Sequence, residues 1–304
     1  MNGLLIIDKP AGLTSHDVVN RVRRILQQRS VGHLGTLDPL ATGVLPLVTG
    51  SLTRLAQFYT TSEKTYEGTI RFGFSTDTYD AEGEPTGPPQ PVSLTLERVR
   101  QVAAKFRGTI EQIPPPFSAK KIHGVPAYKL ARRRKPVVHQ PVQVEIKEFE
   151  IVSVEGDHAR FHARVASGTY MRSVAHEMGR ELGGGAHLAS LRRTAVAEFG
   201  LEDAHTLEQV EDAARSGQIP DGKIEALFVH PRKLLPQFPS VTADEANVAR
   251  IRSGRPVNLP ELSRARQVKV FAGQRELIAI ATRVAGTLFH PGIVFVAELS
   301  SQPI

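Results

Sequence analysis

Apolar residues recur at three- and four-residue spacing at Val18, Val19, Val22, Ile25 and Leu26, predicting an amphipathic helix capped by Ser15 and ending before Gly32. The period breaks at 32–50, where four glycines and two prolines punctuate apolar residues; a shaped loop is expected there. A helix over Leu52 to Tyr59 follows, and the alternation of Tyr66, Ile70, Phe72 and Phe74 predicts a strand. Asp, Gly and Pro dominate 76–90, a long surface loop. Leu96, Val99, Val102, Ala103 and Phe106 then form a helical stripe that stops at Gly108. Pro114-Pro115-Pro116 removes three backbone donors, so 113–141 is read as an insertion that leaves the core and returns near Pro141. Two strands, 142–154 and 158–166, turn at Gly156-Asp157, and a helix over 169–182 ends at Gly183-Gly184-Gly185. A strand at 194–199 precedes a helix capped by Thr206, with Gln209 three residues on.

Pro236 and Pro239 lie between patterned segments and mark a boundary, giving expected domains 1–236 and 237–304. In the second, Thr242 and Glu245 read as a capping box for a helix ending at Gly254, and β-rich runs at 268–272, 276–284 and 293–298 suggest a small barrel. A length of 304 residues suits one large domain plus a small one.

Composition changes this picture in one respect. No apolar run approaches the roughly 18 residues of a membrane span, Met1 to Pro10 lacks the order of an export signal, and the absence of cysteine excludes disulfides and thiolate chemistry; a cytoplasmic protein is expected. The net charge of +7, however, is concentrated: 113–141 holds Lys120, Lys121, Lys129, Arg132, Arg133, Arg134 and Lys135 with no acid, and the rest of the chain is balanced. Clustered bases in a balanced chain suit a polyanion, because phosphate contacts release counterions. A solvated basic loop is the plain alternative.

Candidate chemistry is sparse. Eleven histidines show no metal-ligand spacing, the glycine run lacks the Lys-Ser/Thr of a phosphate loop, and Ser15-His16-Asp17 is a helix-cap region whose adjacent residues cannot face one another as a triad. No metal and no nucleotide cofactor are expected. Asp38, in an apolar glycine-punctuated loop, stands out: Asp-Pro starts ordinary turns, but a desolvated carboxylate stays ionised only if a partner is supplied. Arg172, after the glycine turn at Gly168, is a candidate partner and equally a surface helix position.

Gly-His-Leu-Gly-Thr-Leu-Asp-Pro-Leu-Ala-Thr-Gly-Val-Leu-Pro at 32–46 resembles the catalytic motif of the TruB family, the bacterial tRNA pseudouridine synthases that modify the T-loop uridine at tRNA position 55. Further matches follow in order: Asp8-Lys9-Pro10 with Gly12, Thr14 and Ser15; Lys64-Thr65-Tyr66-Glu67-Gly68; Thr76-Asp77-Thr78 with Asp80 and Gly83. Pro115-Pro116 with Ser118-Ala119-Lys120 and Gly124, Gly168 to Ser173, and Ala186-His187-Leu188 with Leu191 to Thr194 complete the set, which covers about residues 3 to 200.

The resemblance implies a mixed α+β pseudouridine synthase fold: a central, largely antiparallel sheet, flanking helices, an RNA-gripping thumb insertion at about 113–141, and a small β-rich C-terminal domain of PUA type. It implies Asp38 as nucleophile, Arg172 as its ion-pair partner and Tyr66 stacked on the target base. His33 would lie near the flipped nucleotides, Leu191 would line the base pocket, and Tyr170, Lys120, Lys121, Arg132, Arg133 and Arg134 would contact RNA. The expected partner is the T-arm stem-loop of tRNA, with no obligatory protein partner, the enzyme acting as a monomer. Two other readings compete: a guide-RNA-dependent dyskerin-like synthase, which would carry an amino-terminal extension and a shorter thumb, and a tRNA-folding chaperone that does not need the chemistry. A glycosylase that frees the base is a third.

Overall fold

The apolar run Leu4 to Ile7, which shows no alternation, is a strand with both faces covered. Leu5 and Ile7 enter one hydrophobic cluster, and Leu4 and Ile6 a second on the opposite side of the sheet. The same division explains Thr42–Thr49, expected as loop but folded as a strand: Leu45 and Leu47 join the first cluster, Val44 and Val48 the second. A strand buried on both faces loses the polar positions that would betray its period.

The computed structural model describes residues 1–118, 120–122, 124–133, 137, 139–215, 223–261 and 263–295. The first part of the chain runs β1 (Gly3–Lys9), α1 (Ser15–Ile25), β2 (Val31–His33), β3 (Thr42–Thr49), α2 (Ala56–Tyr59), β4 (Lys64–Phe72), α3 (Leu96–Ala104) and β5 (Gly108–Gln112). The arm contributes β6 (Lys121–Ile122), β7 (Val125–Pro126) and α4 (Ala127–Arg132). Then come β8 (Val142–Glu155), β9 (His158–Val165), α5 (Met171–Leu182), β10 (Ala186–Val196), β11 (Phe199–Gly200), α6 (Leu207–Arg215) and α7 (Lys223–Ala226). The sheet order is β1-β3-β10-β4-β9-β8-β5, with β2 on β3 and β11 on β10. Every pairing is antiparallel except β10 with β3, where Arg192 and Arg193 lie beside Thr42 and Gly43.

Helices α1, α3, α5 and α6 cover one face through Val18, Val22, Val99, Val174, Met178 and Val210, among others. The other face packs on α2 and on a second, five-stranded sheet ordered β12-β14-β15-β16-β13. That sheet is built from β12 (Ser240–Ala243), β13 (Val257–Asn258), β14 (Gln267–Ala272), β15 (Glu276–Ala285) and β16 (Leu288–Val294), with α8 (Glu245–Arg252) against it. Its Phe271, Leu277 and Ile280 share a cluster with Leu4, Val44 and Leu235, so the two sheets bury one continuous core. At the junction Lys269 is also buried, its ammonium donating to the carbonyls of Arg232 at 2.9 Å and Leu234 at 2.6 Å.

The α+β class and the mixed, largely antiparallel sheet match expectation; several boundaries do not. Thr14, not Ser15, caps α1, in a reciprocal capping box with Asp17. Residues 50–55 form a 3-10 turn before α2, where one helix over 52–59 was expected. β10 starts at Ala186, well before the predicted 194, and β5 carried no readable signal. Thr242 belongs to β12 and Asp244 caps α8. Of the run predicted at 293–298, only 293 and 294 are strand, and 296–298 lie outside the described residues.

Candidate active site

Asp38 sits in the loop between β2 and β3, which is held from three directions. From the α1 side, the Ser15 hydroxyl donates to the Leu37 carbonyl at 3.0 Å and accepts from the Leu37 amide at 2.7 Å. From the end of β1, the buried Lys9 ammonium donates to the carbonyls of Pro10 (2.8 Å), Leu13 (2.7 Å) and Pro39 (3.2 Å). From β10, the Arg193 guanidinium, 1% exposed, donates to Val44 at 2.8 Å, Thr36 at 3.2 Å and Gly35 at 3.0 Å. A buried guanidinium satisfied by three carbonyls forms a rigid fork under the loop. The parallel β10–β3 contact needs Gly43: at φ +100° its backbone suits glycine, and a Cβ there would lie 2.2 Å from the Arg193 carbonyl oxygen.

Arg172, in the first turn of α5, is buried and points at Asp38 rather than outward. Its Nε lies 2.9 Å from Asp38 Oδ2, a close ion pair. Its other nitrogens reach Asp80 Oδ2 at 3.4 Å, the Thr78 carbonyl at 3.1 Å and the Phe117 carbonyl at 2.9 Å. Asp80 is itself buried and pinned by the Thr78 hydroxyl (2.6 Å) and the Glu82 amide (3.1 Å). One guanidinium thus ties together the Asp38 loop, the 76–90 loop and the root of the basic arm.

Asp38 lies where two cavities meet. The inner one, about 240 Å³, is lined by Tyr66, Leu191, Tyr170, Lys64, Arg193 and Gly168, among others. The outer one, about 610 Å³, has His16, His33, Thr78, Glu82 and Phe117 on its walls. The inner space is below the roughly 300–1,000 Å³ of a drug-sized ligand and suits one flat ring. Of the expected residues, Asp38, Tyr66, Arg172, Tyr170 and Leu191 therefore converge on one pocket, while His33 stands in the outer cleft, its Nδ1 accepting from the Gly35 amide at 3.3 Å.

Burial in the cleft pushes the Asp38 carboxyl above its ordinary value, Arg172 pulls it back, and Asp80 pushes it up again. Burial brings Lys64 and Lys9 each down to about 8. His33 is held below its ordinary value by burial and then by Arg193, and Tyr170 above its own by burial.

The arm is only partly placed against the site. Phe117 and Ser118 at its root line the cavities, and Ser118 Oγ lies 3.3 Å from His139 Nε2. Lys120 is half-buried and Arg133 exposed, and neither lines the two cavities. Lys121 falls in β6 and Arg132 ends α4, whereas Arg134 lies outside the described residues. Lys64, Asp80 and Arg193 acquired no individual role from sequence. Their motifs were visible, but nothing in a linear pattern distinguishes a buried cation from a surface one.

The TruB family pseudouridylate synthase N-terminal domain matches residues 23–171, and the tRNA pseudouridylate synthase B C-terminal domain matches 172–228. The chain is 50% identical over 298 residues, 97% of its length and 100% of the relative's, to tRNA pseudouridine synthase B of Solibacter usitatus. It is 40% identical over 262 residues, 84% of its length and 83% of the relative's, to the protein of that name from Bacillus cereus. A chain of the crystal structure of a Cbf5-Nop10-Gar1 complex superposes with a TM-score of 0.70 at 25% identity, covering 97% of this chain and 85% of that one. Family models over residues 23–228, near-full-length relatives and a shared fold agree: the chain belongs to the TruB family of pseudouridylate synthases.

Proposed function

We propose that the protein is a tRNA pseudouridine synthase that isomerises a T-loop uridine, with Asp38 as nucleophile. The observation that carries this reading is the carboxylate of Asp38, paired with Arg172, at the mouth of an inner pocket sized for one base and open on the other side to a cleft for the sugar and its phosphates. In the reaction the N1–C1′ bond breaks, the uracil turns within the pocket, a C5–C1′ bond forms, C5 loses its proton and N1 gains one. The product is an isomer, so the balance calls for neither a redox partner nor a phosphate donor. The steps require a nucleophilic carboxylate and a closed space for the detached base. Tyr66 and Leu191 wall that space, and the Tyr66 hydroxyl, facing Arg193, is a route for the C5 proton. Extruding the base from a folded loop costs a few kcal/mol, which stacking on an aromatic ring, worth about 1–3 kcal/mol, and phosphate contacts from the arm offset.

The 50% identity to a tRNA pseudouridine synthase B, against 25% to a chain from a multi-protein complex, favours action on tRNA without a guide. We read the enzyme as a cytoplasmic monomer with a catalytic domain at 1–236 and an RNA-binding C-terminal domain at 237–304. Tritium release from tRNA transcript labelled at uracil C5 tests the chemistry: the native protein releases label and Asp38→Asn does not. Release by both would remove Asp38 from its role; free uracil among the products would indicate a glycosylase; tRNA binding without release by either would favour a chaperone.

A further inference from the structure

We infer that Tyr79 and His176, outside the pocket, are positioning residues that hold Arg172 and Asp80 in register; this rests on the isomerase reading of the site. The two rings stack face to face, with centroids 3.8 Å apart and planes 11° from parallel. His176 lies four residues after Arg172 on α5, hence one turn along the same helix face. Tyr79 lies between the two residues of the 76–90 loop that meet Arg172, the Thr78 carbonyl and the Asp80 carboxylate. The stack therefore joins the loop to the helix one turn from the ion pair, and anything that lets these rings part lets Asp80 move off Arg172.

Two features argue that this contact is more than incidental packing. Tyr79 has φ +66°, a left-handed conformation that a bulky residue adopts only when its surroundings impose it, and such residues cluster at functional sites. Here the backbone at Tyr79 and just after it is bonded to β10, Leu188 N–H to the Tyr79 carbonyl at 3.0 Å and Ala81 N–H to the Leu188 carbonyl at 3.0 Å, which fixes the turn. Meanwhile the Nδ1 of His176 is buried with no hydrogen-bond partner among the described residues. A buried nitrogen without a partner does not explain the presence of the ring; its face does. Phenylalanine would supply the same face without the orphaned polar atom.

The test compares His176→Ala, His176→Phe, Asp80→Asn, and His176→Ala combined with Asp80→Asn, by tritium release under steady-state conditions. Expected is a roughly tenfold fall in kcat for His176→Ala with KM for tRNA within about twofold, and kcat restored to within about twofold of native in His176→Phe. Where Asp80 is already neutral, His176→Ala should add no further loss, because the stack works through that carboxylate. Native kcat in His176→Ala, an equal loss in His176→Phe, or the full loss repeated beside Asp80→Asn would each overturn the proposal; general damage to the fold would act in both backgrounds and counts against it too. Native protein that releases no label defeats the isomerase reading instead, which keeps the two failures apart.

Discussion

Replacing Arg172 by Ala removes the main influence that lowers the Asp38 carboxyl, so that only the weaker pull of Lys9 opposes the two that raise it, burial and Asp80. The sign is therefore set: the carboxyl rises further, and the rising acid limb of the kcat profile moves to higher pH. A charge-assisted contact is worth about 1.5–3 kcal/mol; because the Asp38 side chain is 38% exposed, solvent screening argues for the lower end, about a tenfold loss of kcat from the pair alone. Losing the bonds to the Thr78 and Phe117 carbonyls loosens both neighbouring loops, so the full effect at neutral pH should be on the order of 10²-fold or more. Arg172→Lys separates the two contributions. It keeps a positive charge, so its acid limb should stay near the native one, but an ammonium cannot reproduce a fork that meets four groups, and kcat should still fall. Single-turnover tritium release at saturating enzyme, from about pH 5.5 to 9, gives both profiles, and a binding assay gives tRNA affinity, which should hardly change. An Arg172→Ala profile lowered equally at every pH, with the acid limb in its native place, would refute the electrostatic reasoning; a large binding loss with normal turnover at saturation would refute the assignment to Asp38.

Two further outcomes follow from particular residues. If the seven bases of the arm all meet phosphates, log K should fall with log salt at a slope of roughly −5 by the single-strand coefficient, and neutralising Arg132, Arg133 and Arg134 together should flatten it by about 2 while raising KM; an unchanged slope would take the arm off the RNA. Lys64 has its value lowered from 10.5 to about 8 by burial, so below pH 8 the folded protein bears the full cost of that charge, and above about 10.5 none of it. Lys64→Met should therefore raise Tm by several degrees at pH 7, a gain that shrinks as pH climbs from 8 to 10.5; a constant or growing difference would contradict the burial argument.

Much of the site was legible because its chemistry is written in short segments. The glycines that shape the Asp38 loop, the Lys64-Thr65-Tyr66 strand start and the Gly168 turn before Arg172 are local features, and residues of each line the pocket at Asp38. Helices with one buried face, such as α1 and α6, were readable for the same reason: half their positions meet water, and the contrast leaves a period. β1 and β3 were not, because strands covered on both sides carry no contrast, and their residues divide between two cores.

Residue identity alone established a concentrated basic arm, a chain without thiol chemistry, a lone carboxylate in an apolar loop and the family motifs around it. Which cation would hold that carboxylate, and what would hold the cation, depended on long-range contact. Arg172 is 134 positions from Asp38 and 92 from Asp80, and it meets both only because the α5 start and the 76–90 loop are brought together beside β10. Arg192 and Arg193 are adjacent and identical in type, yet one pairs at a half-exposed edge with Asp8 while the other lies fully buried under the Asp38 loop. Side chains on a strand alternate between faces, and what covers each face is a property of the assembled sheets.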